Sequence, residues 1–182
     1  SLDGTLWTST LGGGTTVSYT TDGYKVQNPA SSTNADFANL ATNVNYDLRD
    51  GSVQMRMTPM GGTSGVPDTS FNLYSAAGQW GLNYQLYAGN LVLGYWTGGT
   101  AFTGTPTTLA TITYDGVNHI WFRIREASGT FFWDTSADGI TWTNQTSFVN
   151  TLFSRAQVAS LQLQLLAGAI SSGTTSTPAI YR

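Results

Sequence analysis

Two carboxylates, Glu126 and Asp134, stand close together in the segment Trp121 to Trp142, reading WFRIREASGTFFWDTSADGITW. A facing pair of carboxylates is the equipment of glycosidic-bond cleavage, one acting as acid and the other as nucleophile or base. Whether this pair can do that chemistry depends on the register of the hairpin that holds it. A two-residue turn at Ser128-Gly129 opposes Arg123 to Asp134 and puts Phe122 and Ile124 on one face with Phe131 and Trp133. A slip of one residue would reverse every side chain of the strand. The chosen register alone gathers four apolar side chains and gives Asp134 a counter-charge. It also sends Glu126 to the face opposite Asp134, so the two are expected as charge-partnered surface residues and not as a catalytic pair.

A second constellation lies on a neighbouring hairpin. Reading Gly89-Asn90 as its turn places Leu82, Tyr84, Leu86, Leu91, Leu93 and Tyr95 on an apolar face. The other face then carries Asn83, Gln85, Tyr87, Val92, Gly94 and Trp96. Asn and Gln amides both donate to and accept from hydroxyls, and Tyr and Trp rings stack on the apolar patches of a pyranose. Gly94, between Val92 and Trp96, is expected to leave room for a ring. Asn83, Gln85, Tyr87 and Trp96 are therefore the candidate glycan-binding residues. The competing reading is a solvent face whose two aromatics shield the sheet or meet another subunit.

Other chemistries have less to stand on. His119 is the single histidine and the chain has no cysteine, so a thiolate or multi-histidine metal site cannot be assembled. His119 is expected to close the turn Asp115-Gly116-Val117-Asn118. Calcium needs only carboxylates and carbonyls; Asp47, Asp50 and Asp68 are its candidates, the alternative being solvated turn residues. No glycine-rich strand-to-helix loop supports nucleotide binding, and no nucleophile elbow supports a serine hydrolase. The sequon Asn144-Gln145-Thr146 is expected by chance in a chain rich in Asn and Thr.

The elements that must position these residues read as strands. Val53, Met55 and Met57 alternate with Gln54 and Arg56; Leu161, Leu163 and Leu165 alternate with Gln162 and Gln164; Trp80, Leu82, Tyr84 and Leu86 alternate with polar or small neighbours. Weaker strand signals cover 5–11, 15–20, 23–27, 41–48, 107–113 and 177–182. One short helical turn is expected around Leu152 to Val158, capped by Asn150 or Thr151. Five of the ten acidic residues sit in Asp-Gly pairs, which are hairpin-turn signals. Glycine-rich stretches at 12–14, 61–65, 98–104 and 171–176 are expected as loops. Many short strands with such turns predict an all-β fold, an antiparallel two-sheet β-sandwich or jelly roll, with at most one short helix. Its 182 residues, without internal repeat or linker, are expected to form one domain, 1–182.

Composition narrows the partners. Charged residues make up 9% of the chain, against roughly 25% in ordinary soluble domains. Seven basic and ten acidic residues give a net charge of −3, with no basic run. Counterion-driven nucleic-acid binding and attachment to anionic membranes are thus not expected. No stretch approaches the length of a membrane-spanning helix, so membrane insertion is not expected either. A polar, Thr- and Gly-rich, ion-poor surface is common in extracellular and viral β proteins.

The pattern Trp121-Phe122-Arg123-Ile124-Arg125, a glycine turn, an aromatic strand and then Thr135-Ser136-Ala137-Asp138-Gly139-Ile140-Thr141-Trp142 resembles concanavalin A-like lectin/glucanase jelly rolls. More narrowly it resembles the laminin-G-like versions found in bacteriophage tail proteins and secreted bacterial proteins. Glucanases of that class carry a Glu-x-Asp-x-x-Glu arrangement on one strand, and this chain has a single Glu and no such motif. Ser136, Asp138, Gly139, Thr141 and Trp142 also resemble the Asp-box of sialidase-type propellers. One residue is missing between Asp and Gly, however, so a turn closed by Asp138 over Trp142 is expected instead. The resemblance implies a carbohydrate-binding or adhesion domain, extracellular or on a virion, recognising a cell-surface or extracellular glycan without catalysis. The alternatives are a structural or decoration domain acting through contacts with its own copies or virion proteins, and a glycoside hydrolase or lyase of the same fold.

Overall fold

Alternation of apolar and polar residues produces two antiparallel sheets of seven strands each. The computed structural model of the chain describes residues 4–21, 23–63, 66–75, 79–99 and 104–182. The first sheet runs, in spatial order, β1 (Trp7–Gly12), β5 (Phe37–Thr42), β15 (Gln162–Ala169), β8 (Pro67–Ser75), β9 (Trp80–Tyr87), β10 (Asn90–Thr97) and β11 (Thr105–Thr113). The second runs β14 (Thr143–Val149), β13 (Thr130–Ser136), β12 (Trp121–Ala127), β6 (Ser52–Thr58), β17 (Ala179–Tyr181), β3 (Gly23–Gln27) and β2 (Thr16–Thr20). A small third sheet joins β4 (Ser31–Ser32), β16 (Gly173–Thr177) and β7 (Gly61–Gly62). Helix α1 (Arg155–Val158) is one turn long.

The inner faces meet in one apolar core. Phe71, Leu73, Leu82, Tyr84, Leu91 and Leu93 of the first sheet pack against Met55, Met57, Phe122, Ile124, Phe131, Trp133 and Tyr181 of the second. The layers are also tied by hydrogen bonds that cross the core. Trp133 Nε1 donates to the Asn83 carbonyl at 2.9 Å, Tyr84 Oη to the Asp134 carbonyl at 2.7 Å, and Tyr181 Oη to the Leu166 carbonyl at 2.5 Å. Each satisfies a polar tip that burial would otherwise leave unpaired.

The β12–β13 register is the expected one, with Arg123 opposite Asp134 and a turn at Ser128 and Gly129, both at positive φ. The β9–β10 turn is corrected. Ala88 and Gly89 occupy it, at φ 51° and 77°, so Gln85 faces Val92 instead of Gly94. Positive φ at both central positions is the type I′ geometry that matches strand twist. The shift is two residues, and since side chains alternate with period two, each residue keeps its predicted face.

Other boundaries differ as well. Residues 43–48 form a bend and, at Tyr46, an isolated bridge to Leu161, and the strand sits earlier at Phe37–Thr42. The 171–176 stretch, expected as loop, contributes β16. The helix is capped by Ser154, whose Oγ accepts from Gln157 N while the Gln157 side chain accepts from Ser154 N. Asn150 instead closes the preceding turn, its Oδ1 accepting from Phe153 N at 2.9 Å. Strand β8 at the centre of the first sheet was not among the expected strands.

Candidate ligand-binding face of the first sheet

Strands β5, β15, β8, β9 and β10 turn alternate residues away from the core. Across β8 and β9 the register sets Asn72 beside Asn83, Ser70 beside Gln85 and Asp68 beside Tyr87. Across β8 and β15 it sets Ser70 beside Leu166 and Asp68 beside Gly168, with Phe37 next on β5. These outward side chains line a cavity of about 540 Å³ whose polar wall is Asp68, Ser70, Asn72, Asn83 and Gln85. Its apolar wall includes Phe37, Leu166 and Ile170, with Trp96 and Pro106 at one end and Asn34 at the rim. The size lies within the range of small-molecule sites, as does the mix of apolar wall and few convergent polar groups.

The polar floor is internally ordered. Ser70 Oγ donates to Asp68 Oδ1 at 2.9 Å and Gln85 Nε2 donates to Asp68 Oδ2 at 3.0 Å. Asp68 is 8% exposed. Burial pushes its carboxyl up to about 6, the hydrogen bonds from Gln85, Ser70 and the Thr69 backbone opposing the rise. The rim loop is held by Asp36, whose carboxylate accepts from Gly14 N and Thr33 N, each at 2.7 Å. Those bonds hold the Asp36 carboxyl below its ordinary range.

Of the four residues expected to bind a glycan, Asn83, Gln85 and Trp96 line this cavity and Tyr87 does not. Tyr87 faces a separate depression of about 310 Å³ with Pro59, Met60, Pro67 and Tyr114. Trp96 is 3% exposed, stacked 6.3 Å from Tyr74 and donating from Nε1 to the Gly99 carbonyl at 3.0 Å. Its ring lies over Gly81, where a Cβ would come within 2.2 Å of it. The indole is thus wall rather than open platform. Gly94 does not leave room for a ring: a Cβ there would meet the Thr107 carbonyl of β11 at 2.1 Å, at the bulge where that strand crosses close.

Ser70 and Asn72 were missed because β8 was missed. Its opening Pro67-Asp68 has the composition of a turn, although Thr69, Phe71 and Leu73 alternate with Asp68, Ser70 and Asn72 in plain strand period.

The calcium candidates are not brought together. Asp47 pairs with Arg49 at 2.6 Å, Asp50 accepts from Ser128 N and from Arg155, and Asp68 lies in the first sheet's cavity. Among the described residues no three acidic or histidine side chains cluster as a metal site.

Glu126 and Asp134 do lie on opposite faces, but neither is a surface charge. Asp134, 1% exposed, accepts from Arg123 at 2.8 Å, Arg125 at 2.8 Å and Asn144 at 3.0 Å. Glu126, 3% exposed, accepts from Asp50 N at 2.6 Å, locking the β12–β13 turn to the turn before β6. Asp138 closes its own turn, accepting from Ile140 N at 2.8 Å and Thr141 N at 2.7 Å, which holds its carboxyl at about 2. Trp142 lies under the Arg123 guanidinium, 4.1 Å from the ring centre. His119 Nδ1 accepts from Asp115 N at 3.0 Å, as its turn position suggested.

No protein-family model matches the sequence, and no curated protein matches it. Solved structures do match over nearly the whole chain. A β-glucanase from Bacillus licheniformis aligns with a TM-score of 0.64 at 11% identity, over 100% of this chain and 91% of its own. The exoplasmic/lumenal domain of VIP36, in a form bound to Ca2+ and Man3GlcNAc, aligns with a TM-score of 0.60 at 12% identity, over 97% and 84%. A CBM2 module of the evolved Dit protein of Lactobacillus casei BL23 phage J-1 aligns with a TM-score of 0.55 at 10% identity, over 95% and 87%. The fold is therefore the concanavalin A-like jelly roll of lectins and glucanases. The expectation that the chain is not an enzyme is overturned by the same finding, since glucanases recur among these structures.

Proposed function

We propose that the chain recognises a glycan in the cavity on the outer face of its first sheet. One observation carries this reading: Ser70, Asn72, Asn83 and Gln85, from two adjacent strands, converge with Asp68 on one cavity walled by Phe37, Leu166 and Ile170. Neutral amides and hydroxyls on a fixed ladder match a ligand rich in hydroxyls, and the apolar wall matches the carbon face of a sugar ring. The sugar bound in the similar VIP36 structure and the phage origin of another similar structure support the same reading. An extracellular or virion setting goes with it. Binding to a glycan array tests it: the chain is expected to retain a defined set of neutral glycans, and Asn72→Ala with Asn83→Ala to lose them. Retention unchanged by that double substitution would remove the reading.

A second reading, cleavage of the bound glycan, is favoured by Asp68. Under this reading Asp68, the one carboxylate among the described residues lining the cavity and raised by burial to about 6, gives its proton to the glycosidic oxygen as that bond breaks. A water adds to the anomeric carbon, and the water's proton returns to the carboxylate. Release of reducing ends from a panel of β-glucans and O-glycans, abolished by Asp68→Asn, is the expected result under this reading. No product from any member of the panel removes it.

A further inference from the structure

The outer face of the second sheet gathers charge that the sequence scatters. Met55, Met57, Phe122, Ile124, Val26 and Tyr181 point into the core, so Arg56, Arg123, Arg125 and Lys25 between or beside them point out. Arg182 joins them, exchanging backbone hydrogen bonds with Arg56 at 2.9 and 3.0 Å. Five of the seven basic residues of a chain of net charge −3 thus share one sheet face.

The register arranges them as a stripe. Lys25 on β3 is one two-residue step from Arg182, which stands beside Arg56 on β6; Arg123 and Arg125 on β12 continue two steps the other way. With strands about 4.8 Å apart and about 6.7 Å per two residues, the diagonal runs on the order of 25 Å. Aromatic rings accompany it. Trp121 is the direct neighbour of Arg56, Trp142 lies under Arg123, and the Phe132 ring lies 3.8 Å from the Arg125 guanidinium carbon.

Little on this face cancels the charge. Among the described residues its one outward carboxylate on the strands is Asp134, shared by two arginines. Asp138 nearby is turned into its own loop. The two remaining cations, Arg49 and Arg155, lie elsewhere against Asp47 and Asp50. Lys25 and Arg56 form no ion pair among the described residues.

We propose that this stripe binds a linear acidic polysaccharide, one bearing a carboxylate on its repeating sugar. Guanidinium groups take carboxylates in two-pronged hydrogen bonds, and ring faces beside them take the sugar. The cations are several ångströms apart, Arg56 and Arg182 exposed and Lys25, Arg123 and Arg125 half-buried, and this spacing suits one charge per sugar better than the duplex density of one charge per about 1.7 Å. The site is separate from the first-sheet cavity and does not depend on it.

The test is affinity for a polygalacturonate decamer, by calorimetry on the whole chain in 50 and 200 mM salt. Three neutralised charges at a slope of about −0.7 each predict roughly tenfold to twentyfold weaker binding at the higher salt. Lys25→Glu with Arg56→Glu is expected to reduce low-salt affinity at least tenfold with the thermal midpoint kept, and Lys25→Gln with Arg56→Gln to do so if the charge reversal perturbs folding. Gln85→Ala, in the other sheet's cavity, should leave it unchanged. No binding, binding indifferent to both double variants, or equal affinity for a single-stranded oligonucleotide of the same charge would each overturn the proposal.

Discussion

Gln85 Nε2 reaches diagonally across the β8–β9 ladder to donate to Asp68 Oδ2 at 3.0 Å, so the acid of the cavity is held by one of the amides that surrounds it. The bond ties two roles together. It fixes the orientation of Gln85, and it partly offsets the cost of burying Asp68, which burial still lifts from 3.8 to about 6.

Stability should therefore fall as this carboxyl ionises. A folded-state value above the unfolded one means that the folded chain holds the proton more tightly. The contribution is full below 3.8, declines as the pH rises through about 6, and amounts to about 3 kcal/mol lost by pH 8. Asp47 and Asp138, held at about 2, act oppositely: their contribution is present above 3.8 and lost as the pH falls toward 2. Thermal midpoints from pH 2 to 8 should peak near the ordinary carboxylate range. Asp68→Asn should flatten the decline between pH 4 and 6, and an unchanged decline would assign it to another group.

Asp134 carries the second sheet's buried charge cluster. Replacing it by Asn keeps the shape and leaves two guanidinium groups, 21% and 30% exposed, without their shared partner. Because both arginines reach water, the expected cost is below that of a wholly buried pair, about 2–4 kcal/mol in urea unfolding. Asp47→Asn, which removes an exposed pair, should move the midpoint little.

Gly81 makes room for Trp96. Gly81→Ala would put a methyl within 2.2 Å of ring atoms and 2.7 Å of the Leu73 carbonyl. Displacement of the indole should cost about 1–3 kcal/mol and alter the near-ultraviolet circular dichroism. It should also weaken any ligand of the cavity, since Trp96 walls one end of it. Wild-type dichroism in a folded Gly81→Ala chain would contradict this packing.

The sequence made the sandwich legible where apolar and polar residues alternate between clear turns. The β12–β13 register followed from pairing Arg123 with Asp134, and the two faces of β9–β10 survived a misplaced turn because the error was an even number of residues. Burial was less legible. Asp134 and Glu126 look like surface charges until the fold wraps arginines and turn amides around them. Trp96 looks like a stacking platform until Gly81 lets it lie flat. The cavity itself depends on β8, whose Pro-Asp start concealed a strand, and the basic stripe depends on long-range strand order that no local pattern encodes.

The central claim, a glycan in the first-sheet cavity, is tested most directly by following side-chain amide resonances of Asn72, Asn83 and Gln85 in magnetic-resonance titrations with neutral oligosaccharides. Saturable shifts of these amides and of the Trp96 indole N–H, with Asn144 on the second sheet unmoved, are the predicted result. Shifts at Asn144 with the cavity amides unmoved, or no shift across the panel, would contradict it.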